Sequence, residues 1–264
     1  MNGQDGPQRP YDVVLFGATG FVGGLTAEYL LGHAPSGCRL ALAGRDRAKL
    51  ERLRERLAAV DPARAAGLGI VTADVSDPVA VRALAESTRV VASTVGPYIR
   101  YGEELVAACA EAGTDYTDLT GEPEFVDLMF LRYGARARET GARIVHACGF
   151  DSLPHDLGVY FTVRRLPEGV PLTVDGFVQA RGLVSGGTLA SSLTILSRRV
   201  FTELTGGDPG YGETAKMFAE ASLCLALDDL PATAGQVTPA VAMGDALLER
   251  LAAAGLPYRV RHAR

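Results

Sequence analysis

Lysine is almost absent from this chain. Only Lys49 and Lys216 occur among the 26 basic residues, and all the others are arginine. A Schiff-base mechanism needs a desolvated lysine, and both candidates fall on stretches that read as solvated helix, so that class is set aside. The four cysteines, Cys38, Cys109, Cys148 and Cys224, lie far apart with no CxxC spacing. They read as free thiols in a reducing compartment, not as a disulfide framework. His146 and His155 lack a third ligand at useful spacing, so no metal site is expected. Long apolar runs are missing too: the uncharged stretch 182–197 is rich in serine, threonine and glycine, too short and too polar to span a bilayer. Residues 1–10 carry no apolar core of a signal sequence and read as a disordered arm. These features point to a cytoplasmic protein. An excess of positive charge is also lacking. With 26 basic against 31 acidic residues the net charge is −5, which argues against nucleic acid as the main partner.

What is present is ample core. Hydrophobic residues make up 47% of the 264, enough for one or two globular domains. The first 150 residues alternate between the two periodicities. A continuous apolar run at 11–16 predicts a strand buried on both faces, and 40–43, 69–72, 90–94, 115–118 and 143–147 are further strand candidates. Helical spacing over 19–32, 46–60, 78–86, 103–112 and 123–140 separates them. Strands joined by helices of this length form right-handed βαβ units, which predicts an α/β fold: a Rossmann-type doubly wound parallel sheet over residues 11–150. After Phe150 the rhythm changes. A helix is expected at 154–165, an extended segment at 171–181 and a glycine-rich break at 182–187. Helices at 188–204, 213–227 and 241–254 follow, then a short strand near 258–260. Residues 151–264 therefore read as a reduced, mainly helical second region serving substrate binding or dimerisation.

The strongest local signal is Gly17-Ala18-Thr19-Gly20-Phe21-Val22-Gly23, directly after the first strand and opening a helix. Gly17 permits the tight turn, Gly20 lets the backbone approach a pyrophosphate, and Gly23 allows helix to pack on sheet. The helix N-terminus then offers free N–H groups to the anion. The second strand ends in Ala43-Gly44-Arg45-Asp46, without the acidic residue that holds the adenosine ribose in NAD sites. Arg45 suits a 2′-phosphate, so NADP(H) is the expected cofactor, with Asp46 as the cap of the next helix. Thr94, Val95 and Gly96 end the fourth strand, at the sheet edge where such folds bind ligands. Tyr98 and Tyr101 follow as the nearest phenols, either walling the cleft or, in the case of Tyr98, donating a proton. Asp118 and Glu122 either orient substrate or cap the next helix. Asp151 or Ser152 is expected to cap the helix after them. Ser152, His155 and Asp156 stand too close in sequence for a catalytic triad.

The segments VVLFGATGFVGG, LAGR, TVGPY, YTDLTGE and CGFDSLPHDLG together resemble the saccharopine dehydrogenase-like oxidoreductases, and most closely the branch containing trans-acting enoyl reductases. The stretch from GYGETAKM to LPYRV is similar to that branch's ending. The resemblance implies cofactor contacts at Gly17, Thr19, Gly20, Phe21, Val22, Arg45, Thr94, Val95 and Gly96. It also implies NADP(H)-dependent hydride transfer to an enoyl or related double bond of an acyl-like substrate. Related chains carry a sizeable substrate domain between the GGT and ETAKM segments, which here stand about two dozen residues apart. That shortening leaves a second reading, a non-catalytic NADP-binding scaffold or partner subunit. It also predicts exposed apolar surface that would favour a homodimer.

Overall fold

The computed structural model describes residues 9–169, 171–176, 200–204, 206–208 and 211–262. The chain runs through β1 (Tyr11–Phe16), α1 (Phe21–His33), β2 (Leu40–Gly44), α2 (Arg47–Ala58), α3 (Pro62–Ala66), β3 (Gly69–Thr72), α4 (Pro78–Glu86) and β4 (Thr88–Ser93). It continues through α5 (Tyr98–Tyr101), α6 (Glu103–Ala112), β5 (Asp115–Asp118), α7 (Pro123–Thr140), β6 (Arg143–Val145) and α8 (Leu153–Val163). The remaining elements are β7 (Val200–Glu203), α9 (Gly212–Leu227), β8 (Gly235–Gln236), α10 (Pro239–Ala253) and β9 (Arg259–His262).

A seven-stranded parallel sheet in the order β3-β2-β1-β4-β5-β6-β8 forms the centre, and β7 pairs antiparallel with β9 as a separate ribbon. The order reverses between β1 and β4, which opens a ligand crevice at the carboxyl ends of those strands. Alternation along β1 shows how the layers are built. Val13 and Leu15 face a core completed by α1, α2, α9 and α10, whereas Val14 and Phe16 face one completed by α4, α6 and α7. Strands buried on both faces need continuous apolar runs, and β1 and β2 have them. Helix starts are set locally. Asp46 accepts the Lys49 N–H at 3.0 Å and Asp77 accepts those of Val79 and Ala80.

One expectation about the second region is corrected. The region after residue 150 packs on the sheet that precedes it: α9 lies on α1, β1, β4 and β5, and β8 extends the main sheet beside β6. Residues 200–203, expected as the end of a helix from 188, form strand β7. Their backbone pairs with Arg259–His262, a choice that local periodicity does not encode. The rest of that helix, the glycine-rich break, residues 177–181 of the extended segment and residues 1–8 of the arm lie outside the described residues. Among the described residues no helix is long and apolar enough to cross a membrane. All four cysteines are free; Cys109, Cys148 and Cys224 are buried.

Candidate functional site: a dinucleotide cradle at the sheet edge

The chain leaves β1 through Gly17, whose φ of +88° is open to glycine at little cost. Its N–H donates to the Ala43 carbonyl at 2.9 Å, and Gly20 N–H donates back to the Gly17 carbonyl at 2.9 Å, closing the turn. A Cβ at position 17 would lie 2.7 Å from both Thr94 Oγ1 and Val95 Cγ2. A Cβ at Gly23 would overlap the Gly17 carbonyl oxygen, so helix and loop touch backbone to backbone there. Gly20 occupies the cap position of α1, no side chain caps that helix, and its first turn holds no acidic residue. Its N–H groups and positive dipole end therefore face outward, ready for an anion. Thr19, Gly20 and Phe21 are exposed and Val22 is half-buried.

Two strand ends flank this loop. From β4, Thr94 N–H donates to Phe16 O at 2.9 Å and Thr94 Oγ1 donates to Gly17 O at 3.1 Å, so Thr94 brackets the loop from the far side of the crevice. Val95 is half-buried and Gly96 exposed beyond it. From β2, Arg45 is exposed and makes no hydrogen bond or ion pair among the described residues. The surface salt bridge that would explain it structurally is not formed. Asp46 caps α2, as expected, and Asp74 is held by the Ser76 N–H and hydroxyl, which depress its carboxyl together with the more distant charge of Arg45. A groove of about 580 Å³ runs from the loop between α1 and α2, with Thr19, Gly20 and Phe21 on one wall and Lys49, Arg52 and Arg56 on the other. Glu28 also lines it and pairs with Arg56, so the groove carries three cations against one carboxylate. Glycines that tolerate no Cβ, an uncapped helix start and an unpaired arginine fit a 2′-phosphorylated dinucleotide.

The opposite flank is more rigid than the sequence suggested. Tyr98, the expected proton donor, is buried at 7% exposure, with its ring 5.9 Å from that of Phe125. Its hydroxyl donates to Ser93 O at 3.1 Å and accepts the Leu119 N–H at 3.2 Å. Burial, reinforced by the charge of Asp118, pushes this phenol well above the ordinary tyrosine range. Both hydrogen bonds of the hydroxyl go to backbone groups, which tie the ring to the ends of β4 and β5. Glu122 sits at the start of α7 but does not cap it. Its carboxylate accepts the N–H groups of Tyr98 and Ile99 at 2.8 and 2.9 Å, capping α5 from the end of the neighbouring strand β5. Asp118 does not cap either: it accepts the Thr120 and Ala147 N–H groups and sits 2.7 Å from His146 Nδ1. Ser152 takes the cap position of α8 without a side-chain hydrogen bond. The ends of β4, β5 and β6 are thus stapled into one floor by Glu122, Tyr98, Asp118 and His146. Asp118, Glu122 and His146 stand apart in the sequence, and their pairing depends on strand order.

The saccharopine dehydrogenase NADP binding domain family matches residues 13–145, a span that runs from β1 to β6 and includes the glycine loop, Arg45 and the Thr94 bracket. The chain belongs to this family. NADP is therefore the cofactor of the domain, in agreement with the expectation from Arg45. The chain is 47% identical over 189 residues to the trans-acting enoyl reductase of Mycobacterium bovis (strain BCG), an overlap covering 70% of this chain and 44% of that protein. A Mycobacterium tuberculosis H37Rv protein whose name proposes the same activity is 51% identical over 193 residues, covering 72% of this chain and 45% of its own length. The chain thus matches less than half the length of these relatives. Among solved structures, the saccharopine dehydrogenase (L-Glu forming) of Saccharomyces cerevisiae aligns over 58% of this chain and 30% of its own, at 19% identity and a TM-score of 0.45.

Proposed function

We propose that this member of the saccharopine dehydrogenase family is an NADPH-dependent reductase of enoyl double bonds on acyl-like substrates, working in the cytoplasm. The observation that carries the reading is the 47–51% identity to proteins named for enoyl reduction over about 70% of the chain. The cradle geometry supports the cofactor half. Gly17, Thr19, Gly20, Phe21, Val22 and Gly23 hold the pyrophosphate against the start of α1, Arg45 holds the 2′-phosphate, and Thr94, Val95 and Gly96 pass beside the nicotinamide ribose. When bound, NADPH supplies the reducing electrons at its nicotinamide ring. The chain's own work is positioning. Asp118, Glu122 and Tyr98 fix the loops that border the nicotinamide end, so that an acyl chain lies on a rigid floor. Tyr98 acts through those loops, and the proton for the substrate α-carbon comes from water.

The test is consumption of NADPH by the purified chain in the presence of an enoyl thioester, followed by absorbance, with the saturated thioester identified by mass. Turnover that needs the double bond supports the reading. Tight NADPH binding without turnover on any enoyl, imine or keto substrate overturns it and leaves an NADP-binding module.

A further inference from the structure

We propose that Tyr211 is a second, sequence-distant part of the NADP site, walling its nicotinamide side together with Phe21; the inference rests on reading the glycine loop as the pyrophosphate cradle. Phe21 follows Gly20 at the mouth of the loop and is 69% exposed. The ring against it is that of Tyr211, edge to face with centroids 5.0 Å apart, and Tyr211 is itself 51% exposed. Two large rings thus meet in solvent beside the uncapped start of α1. Single exposed apolar residues are ordinary, but a paired aromatic wall beside an anion cradle is a ligand surface.

Topology decides which half of the cofactor this wall meets. Tyr211 stands at the start of α9, and α9 packs on β1, β4 and β5 as well as on α1. Arg45 lies at the end of β2, on the opposite flank of β1. The helix that Tyr211 begins therefore lies over β1, β4 and β5, on the other side of β1 from β2 and Arg45. Its backbone is held in place: the Asp208 carboxylate accepts the N–H groups of Tyr211 and Gly212 at 3.3 and 3.4 Å. Thr214, one turn on, accepts the Phe150 N–H at 3.3 Å, which ties the start of α9 to the loop after β6. A held aromatic face at this position packs against the nicotinamide riboside and excludes water from it.

The experiment titrates the full chain, Tyr211→Ala and Tyr211→Phe with NADPH and, separately, with 2′,5′-ADP, which carries only the adenosine half. The chain has no tryptophan, so cofactor fluorescence is free of indole background. Tyr211→Ala is expected to weaken NADPH roughly five- to tenfold. It should leave 2′,5′-ADP unchanged, and Tyr211→Phe should match the parent for both ligands. NADPH affinity unaltered by Tyr211→Ala overturns the proposal, and so does an equal loss of both ligands, which would make the ring a support of the loop. If the parent chain itself binds neither ligand, the cradle reading fails, and this inference with it. That failure shows in the parent and not in the variant.

Discussion

Arg45 is a cation on a surface where most arginines are paired: Arg47, Arg54 and Arg56 nearby all contact glutamates. An unpaired guanidinium at the end of β2 gains most from a doubly charged phosphate, through bidentate charge-assisted hydrogen bonds. Arg45→Asp should weaken NADPH by about 10- to 100-fold, matching the roughly 1.5–3 kcal/mol of such bonds. It should strengthen NADH, whose ribose hydroxyls the new carboxylate can accept. Parallel fluorescence titrations with the two cofactors check both arms. Gly17 makes the complementary point. Alanine there meets φ +88° and the crowding of Thr94 and Val95 at once, and should cost about 1–3 kcal/mol of stability along with NADPH binding, read by denaturant melts and titration. Tyr98→Phe separates strut from acid. As a strut, its loss orphans the Leu119 N–H and costs about 1–3 kcal/mol in a denaturant melt, while NADPH still binds. Reductase activity abolished in a variant of unchanged stability would restore the phenol as proton donor.

At the scale of elements, the Asp12–Arg39 pair shows how one carboxylate sets a register. Asp12 opens β1, and its carboxylate accepts both the backbone N–H and the guanidinium of Arg39 just ahead of β2. Burial pushes the Asp12 carboxyl up, but the hydrogen bonds and charge of Arg39 outweigh it, and the net effect is downward. A depressed carboxyl stabilises the fold above its unfolded value of about 3.9 and loses that contribution as pH falls through the lower folded value. Asp12→Asn should therefore destabilise by about 1–2 kcal/mol at pH 7, a figure discounted because Arg39 is 45% exposed. The gap between variant and parent should close below about pH 4, in urea melts across the acid range. The elements legible in the sequence were those whose signals are local. The apolar run of β1, the aspartate–proline start of α4 and the glycine after α7 mark their own boundaries. Strand β8, two residues long with a glycine at φ +93°, carries no periodicity; its pairing with β6 defines it. The site divides the same way. Its glycines and Arg45 announce themselves within one βαβ unit, whereas the use of Glu122 on α5 and of Tyr211 on Phe21 arises only when distant segments meet.

At the scale of the whole molecule, the C-terminal helices are joined to the cofactor half by a partly buried polar network as well as by apolar core. The Tyr29 hydroxyl on α1 donates to Glu220 on α9 at 2.8 Å. Arg250 on α10 donates to Glu220 at 3.1 Å and to Asp228, just past α9, at 2.8 Å. The hydrogen bond to Asp228, with the added pull of Glu220, raises the Arg250 guanidinium further above its already high value. Removing one partner of such a network strands the others, because a buried carboxylate without its cation loses hydration and gains nothing in return. Arg250→Ala should cost about 2–3 kcal/mol, below the value for a fully buried pair because Arg250 and Asp228 keep some contact with water. Since α9 completes the core under β1, β4 and β5, that loss cannot be confined to the last hundred residues. Far-ultraviolet circular dichroism and tyrosine fluorescence should report one shared unfolding transition in the parent, shifted as a whole in the variant. NADPH, for which the proposed cradle lies away from this network, should raise the midpoint of both, because ligand binding stabilises everything that unfolds together. A variant in which only a minor transition moves, with the NADPH-sensitive one untouched, would show the family's NADP-binding domain folding independently of the helices that cover it.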